Sequence, residues 1–545
     1  MTLSHFTLLM ACLLISCNSP VSKEGKKETP AAFTDNLFFS KEDFKKDQST
    51  PVKFSNDFVL NEDKFLSIHF NLDQPLAHSL QLLAPDLTVD QLLDQGNFQF
   101  SFFVDQEIVY TENLNKGAGL KDAKTTQLEY HLPLIYPEQL DFWGWFMWLR
   151  FMKRGGGQDA LSEGMHTLTI QVRPYLKQGK LKVGEVLAKG TLSLNVPKIK
   201  IDKRLIPVQK IQPNSGWELS TDGFDKSKIE ALNKKIAQKR FENINGIVVI
   251  KEGKLLIEEY FNGETRDSLH DPRSVGKSVA STVMGIAIEE NYISSEQAML
   301  KDFYDLKSFK NYSLKKDSVS LKSLLSMSSG FRGDDNDYSN PGNEENMYPT
   351  KDWVKFALDL PMEENKVMGE DFSYFTAGVV VLGDIIHKSV PGGLVSYADK
   401  KLFAPLNITN YRWQYTPQEV GNTAGGIRLR AIDFAKYGQL YQNAGRWNGQ
   451  QILPKKWVEK SLSKQIKQSL DDGYYGYLFW NKSYKIDGKE YEVSFCSGNG
   501  GNKIFIFKDL PFVIVITASA YNVPNAHANV DKMMLDYILP AIIDQ

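Results

Sequence analysis

Cysteine is scarce in this chain, with three in 545 residues. Two of them, Cys12 and Cys17, fall at the very start, so Cys496 has no partner for an intrachain disulfide once that start is set aside. Histidine is scarce as well. The eight histidines are scattered, with no pair at metal-ligand spacing and no cysteine beside them, so no metal site and no cofactor are implied. Excess charge is also missing. The formal net charge is -2, which leaves no electrostatic footprint for nucleic acid. No apolar run reaches the roughly 20 residues that a membrane-spanning helix needs. What remains is 42% hydrophobic and 24% charged residues, the balance of a globular protein. The length is too great for one ordinary core and predicts two domains.

The chain opens on a short apolar run, "TLLMACLLISC", ending at Cys17. It reads as an export signal. Leu14-Ile15-Ser16-Cys17 resembles a bacterial lipobox, a large apolar residue followed by small ones and then the lipidated cysteine. That resemblance implies a lipoprotein signal over residues 1–17 and acyl chains on Cys17. It also implies a protein held at a bacterial membrane in the cell envelope, facing the periplasm or the exterior. Residues 18–50 then read as a flexible, polar tether.

Residues 51–196 read as a β-rich domain. Phe98, Phe100, Phe102 and Val104 alternate with other residues, as do Leu168, Ile170 and Val172, and Leu192, Leu194 and Val196. Period two marks half-buried strands, and several short strands separated by turns suggest a sandwich. Within this region "DFWGWFMWLRFMKRGGG", 141–157, reads as an aromatic loop buried against the second domain. Residues 197–216 carry three prolines and little periodicity, and read as a linker.

Residues 217–545 change character. Asp225 is a candidate N-cap for a helix that places Ile229, Leu232 and Ile236 on one face. "NGIVVIKEGKLLIEEYF" reads as a hairpin turning at Glu252-Gly253, and "KIFIFKDLPFVIVITAS" as a second strand pair. A final helix covers 525–538. The middle, from Ser274 to about Ser463, is mostly helical. The fold class is therefore α+β, a sheet flanked by helices with a helical insertion.

The chemistry is concentrated in "HDPRSVGKSVAS", 270–281. Gly276-Lys277-Ser278 could end a phosphate-binding loop. Such a loop needs a glycine at position 271, where Asp271 stands, and Pro272 has no N–H to offer a phosphate. The other reading is Ser274-x-x-Lys277 at the start of a helix. Ser274 and Lys277 then share one face a turn apart. The helix N-terminus favours anionic character at the serine and disfavours a protonated amine nearby. This is the pattern of an activated serine nucleophile.

Residues from about Trp217 to Ile542 resemble the serine β-lactamase and penicillin-binding protein superfamily. Within it they are most similar to the class C-like branch of esterases and amidases that includes 6-aminohexanoate-oligomer hydrolases. Four ordered segments carry the resemblance: "GIVVIKEGKLLIEEYF", "HDPRSVGKSVASTVMGIAI", "SLKSLLSMSSGF" and "NTAGGIRLRAIDFAKYGQLYQNAGRWNGQQILPKKWV". The resemblance implies a β-lactamase/transpeptidase-like fold over 217–545. It implies Ser274 as nucleophile, with Lys277 and Tyr374 moving its proton. Thr376 stands where the second motif, Tyr-x-Asn, has Asn. Cys496-Ser497-Gly498 stands for the third motif, with Cys496 in place of its basic residue. The N–H groups of Ser274 and Asn499 would form the oxyanion hole. Thr376, Cys496, Ser497 and Gly498 would meet the substrate.

The expected activity is hydrolysis of a small-molecule or short oligomeric ester or amide through a Ser274 acyl-enzyme. The alternatives are a penicillin-binding peptidase or β-lactamase, and a catalytically inactive binding protein. A further expectation concerns "FRGDDNDYSNPGNEEN", 331–346. Its five acidic residues would border the cleft and favour a cationic substrate.

Overall fold

Alternation along the early strands decides the first half of the chain. Leu168, Ile170 and Val172 are all fully buried in the strand Gly164–Gln178, while the residues between them are only half-buried. The computed structural model describes residues 36–543 except 46–50, 117, 120, 138–142, 199, 338, 471 and 524. The export signal and Cys17 lie outside the described residues. The rest divides after Lys198 into two units.

The first unit has two sheets. One runs in the order Phe54–Ser55, Leu37–Ser40, Leu66–Asn71, Glu129–Ile135. The other runs Asp57–Val59, Ala188–Val196, Gly164–Gln178, Gly96–Val104, Glu107–Asn113, with Lys180–Val183 also paired to Gly164–Gln178. Phe39, Ile68 and Phe70 from the first sheet and Phe100, Phe102, Ile170 and Leu192 from the second share one core. The sheets therefore pack as a sandwich.

Three sequence expectations change here. Part of the expected tether is a strand: Leu37–Ser40 pairs with Leu66–Asn71, because Leu37 and Phe39 alternate and both are buried in the sandwich. The tryptophan-rich segment is a helix, Trp143–Lys153, not a loop. Asp141 and Phe142 lie outside the described residues. Met147 and Phe151, four apart, are fully buried in the first unit's own core, and Phe151 stacks on Phe102 at 4.7 Å. Aromatic density along the whole segment conceals that spacing in the sequence. Gly144 lets the helix lie on the Glu129–Ile135 strand, since a Cβ there would stand 2.7 Å from the Pro133 carbonyl.

The expected linker is also partly fixed. The Gln209 amide donates to the Tyr260 carbonyl at 2.8 Å, and its backbone N–H donates to Glu259 at 2.8 Å. Arg266 holds the carbonyls of Gln212 and Pro213 at 2.8 Å each. This proline-rich stretch covers the outermost strand of the second unit's sheet, which otherwise presents unpaired backbone groups.

That sheet has eight antiparallel strands. Their order is Lys254–Tyr260, Ile244–Lys251, Phe512–Ala518, Asn502–Phe507, Lys489–Gly498, Trp480–Ile486, Tyr474–Tyr475, Ile466–Lys467. Both faces are covered. Along Ile244–Lys251, Val248 and Ile250 enter one core while Ile247 and Val249 enter the other. The second core takes the helix Lys226–Ala237, capped by Asp225, whose carboxylate accepts from Ser227 N at 2.9 Å and Lys228 N at 3.4 Å. The first core holds the helices Val275–Glu289, Thr376–Ser389 and Ala431–Gln442. Among the described residues no single helix is long and apolar enough to cross a membrane.

Phe151→Ala should destabilise the first unit by about 3–5 kcal/mol, the usual penalty for emptying a core aromatic site. Thermal unfolding of the variant beside Trp145→Ala, a half-buried position on the same helix, checks this. Equal small shifts for both would mean that the helix is not core.

Candidate active site

Ser274 sits at the mouth of the helix Val275–Glu289, after a backbone that the chain does not adopt freely. Arg273 has φ 53°, in the left-handed region that a non-glycine residue enters at a cost of about 1–3 kcal/mol. Two segments far away in sequence hold this turn. A Cβ on Gly498 would stand 1.9 Å from the Pro272 carbonyl and 3.0 Å from Ser274 N. A Cβ on Gly425 would stand 2.6 Å from the Arg273 carbonyl. Only glycine permits both approaches.

Lys277 follows one turn later and is almost wholly buried. Its Nζ lies 2.7 Å from Ser274 Oγ and 2.7 Å from the Ala424 carbonyl. Among the described residues no carboxylate forms an ion pair with it. The same Nζ stands 5.3 Å from the centre of the Tyr374 ring. Tyr374 stacks on Trp480 at 5.5 Å. Burial pushes the Tyr374 hydroxyl above its ordinary value, while the Lys277 charge and the Ser274 hydroxyl pull it back. It is thus a protonated phenol that faces both the serine and the lysine.

The structure therefore brings Ser274, Lys277 and Tyr374 together, with Gly498 against the Ser274 backbone and exposed Asn499 next in the chain. No turn or side-chain acceptor takes the N–H of Ser274 or of Asn499 among the described residues. Ser497 is half-buried.

Two of the expected substrate contacts are not at the surface. Cys496 has no exposed area, because strand alternation turns it into the helix layer beside Ser278. Burial pushes its thiol up to about 12. Thr376 begins the helix Thr376–Ser389 and also has no exposed area. Neither side chain has area open to solvent in this arrangement.

The acidic loop also differs from its sequence reading. Asp335 is turned inward. Its carboxylate accepts from Thr376 N at 2.8 Å and Glu344 N at 2.7 Å, and its own N–H donates to the Tyr374 carbonyl at 2.8 Å. Burial raises its carboxyl to about 6, with the Glu344 charge adding to the rise and Lys277 opposing it. Asp334 and Asp337 bind the loop's own N–H groups at Asn336 and Ser339. The sequence reading missed Ala424, Gly425 and Trp480 as parts of the site. The Gly425-Gly426 pair was the available signal for the first two, and nothing in the sequence marked Trp480.

Comparison with known proteins follows this geometry. A family model described as Beta-lactamase matches residues 233–533. The 6-aminohexanoate-dimer hydrolase of Paenarthrobacter ureafaciens is 23% identical over 250 residues, which is 44% of this chain and 62% of that protein. The chain thus matches less than two thirds of that relative's length. Among solved structures, a Bacillus anthracis protein named after 6-aminohexanoate-dimer hydrolase is similar with a TM-score of 0.47 and 19% identity, covering 61% of this chain and 90% of that one. An octameric penicillin-binding protein homologue from Pyrococcus abyssi gives a TM-score of 0.44 and 19% identity, covering 56% and 76%.

The raised Asp335 carboxyl has a pH consequence. A group whose folded value lies above its unfolded one stabilises fully below the unfolded value and loses that contribution as pH rises through the folded one. The stability of the wild type relative to Asp335→Asn should therefore fall as pH rises from 3.8 to about 6. Urea unfolding of both proteins at several pH values measures it, and a difference that does not vary with pH would contradict the buried-carboxyl account.

Proposed function

The chain belongs to the beta-lactamase family, and on that premise we propose that it is a serine hydrolase that cleaves ester or amide bonds through an acyl-enzyme on Ser274. The observation that carries this reading is the 2.7 Å contact between Lys277 Nζ and Ser274 Oγ. A general base must lie within hydrogen-bond reach of the proton that it takes, and this one does. In the first step Lys277, reacting as its neutral amine, accepts the Ser274 proton as Oγ bonds to the substrate carbonyl carbon. The carbonyl oxygen takes up negative charge, which the N–H groups of Ser274 and Asn499 stabilise. Tyr374 passes a proton to the departing alcohol or amine as the carbon–heteroatom bond breaks. Water then attacks the acyl-enzyme by the same route in reverse, releasing the acid and restoring Ser274.

The burial of Cys496 and Thr376 favours linear esters and amides over β-lactams. The third motif offers no cation at position 496, and the second offers no exposed amide at 376. We also propose that Cys17 carries lipid and holds the enzyme in a bacterial cell envelope.

Intact-mass measurement after fluorophosphonate treatment tests the serine. One adduct on the wild type and none on Ser274→Ala is the expected pattern. Ester turnover should fall about 10³-fold or more in both Ser274→Ala and Lys277→Ala. An adduct that survives in Ser274→Ala would remove the assignment.

A further inference from the structure

With Asp334, Asp335 and Asp337 turned to backbone N–H groups, the arginines beside the Ser274 turn become the charges to account for. The strands Tyr411–Trp413 and Ile427–Leu429 pair so that Arg412 stands directly across from Arg428. Like charges facing each other on a ladder repel. One carboxylate answers them: Arg428 Nη2 reaches Asp271 Oδ2 at 3.3 Å. That carboxylate is already shared. Its Oδ1 accepts from Arg273 N at 3.2 Å and lies 3.7 Å from Arg273 Nε.

The three guanidiniums remain short of acceptors. Arg428 Nε is sequestered with no hydrogen-bond partner among the described residues. Arg412 is exposed and forms no ion pair among the described residues. Arg273 lies over the Tyr521 ring at 4.5 Å with half of its side chain exposed. Arg430, just past the end of that strand at the start of the helix Ala431–Gln442, shows the contrast. It binds Asp433 through both Nε and Nη2, at 2.7 and 3.2 Å, and also pairs with Asp267. The fold saturates that arginine, while Arg273 and Arg428 share Asp271 and Arg412 has no ion pair among the described residues.

Their place matters as much as their charge. Arg273 is the chain neighbour of Ser274. Arg428 lies three residues after Gly425, whose backbone packs on the same turn. The Tyr521 hydroxyl donates to the Asp271 carbonyl at 2.9 Å, and its ring covers Gly500 in the turn that follows Gly498. The cluster is therefore continuous with the oxyanion side of the site.

We propose that Arg273, Arg412 and Arg428 form a subsite for a carboxylate carried by the substrate, so that the enzyme prefers anionic esters or amides to neutral ones. This rests on the serine-hydrolase reading and reverses the cationic preference expected from the acidic loop. The guanidinium fork suits a carboxylate in two-point contact, and Arg273 and Arg412 are open to solvent to make it.

Two matched pairs of esters test the subsite. One pair is p-nitrophenyl hydrogen glutarate against p-nitrophenyl valerate, with the charge on the acyl side. The other is 4-acetoxybenzoate against phenyl acetate, with the charge on the leaving group. The charged member of at least one pair should have a kcat/KM about tenfold higher, the worth of one charged hydrogen bond. That ratio should fall towards one in Arg412→Gln and Arg428→Gln, and in the wild type as salt is raised. Arg412→Gln is an exposed change that keeps the test available where Arg428→Gln fails to fold. Calorimetric titration of Ser274→Ala with glutarate reads the subsite without turnover. Binding that weakens about tenfold on adding Arg412→Gln supports it even where no ester is cleaved, in which case the hydrolase reading alone fails. Neutral esters cleaved as well as charged ones, with ratios unmoved by either substitution, would overturn the subsite and leave the hydrolase standing.

Discussion

The contact on which the rest of the site depends is made by backbone alone. The end of the Lys489–Gly498 strand presses on the Pro272–Ser274 turn so closely that any side chain at 498 would meet the Pro272 carbonyl. On the other side the chain at Gly425 closes on Arg273. These two approaches hold Arg273 in its left-handed conformation directly before Ser274. The turn's strain of about 1–3 kcal/mol is stable only because both neighbours are themselves rigid. One ends a strand that is paired on both sides in an eight-stranded sheet with a core on each face; the other leads directly into the Ile427–Leu429 strand.

From this the chemistry follows in order. A nucleophile fixed at a helix mouth needs its proton acceptor one turn on, and Lys277 occupies that position. Its amine reaches Ser274 because the Ala424 carbonyl receives another of its contacts and fixes the side chain. Tyr374 completes the group, and its own place is set from behind. Asp335 ties the Tyr374 carbonyl, the first N–H of the Thr376–Ser389 helix and the Glu344 N–H into one knot. A carboxylate in such a place is costly when charged, which explains its raised pKa, yet its two bonds to N–H groups and the bond from the Asp335 N–H tie the Tyr374 backbone to the helix start.

Much of this was legible in the sequence, and the reasons differ by residue. The strands of the sandwich were readable from period-two alternation, and the Ser274 helix from S-x-x-K followed by an apolar stripe. Asp225 was readable as a cap because its side chain acts on its own neighbours. The tryptophan-rich helix was not, since aromatic residues at nearly every position hide which of them face inward. Cys496 and Thr376 were placed at the substrate by their order in motifs, but order does not say which way a side chain points. Strand alternation turned one into the helix layer, and close packing enclosed the other. Asp335 was counted as surface charge because sequence shows composition and not the backbone N–H groups that a buried turn leaves to be satisfied.

Catalysis and selectivity are thereby built from different materials. Lys277, Thr376, Cys496 and the two glycines belong to packed interior, where one added carbon atom meets a carbonyl or a ring. Arg273 and Arg412 are exposed, and Arg428 stands on a two-stranded ladder with three residues in each strand. A substitution in the first group disturbs the core and the nucleophile together. Surface changes of the second kind usually alter stability by no more than about 0.5 kcal/mol. The proposed reacting centre can therefore stay constant while the charge at its rim changes.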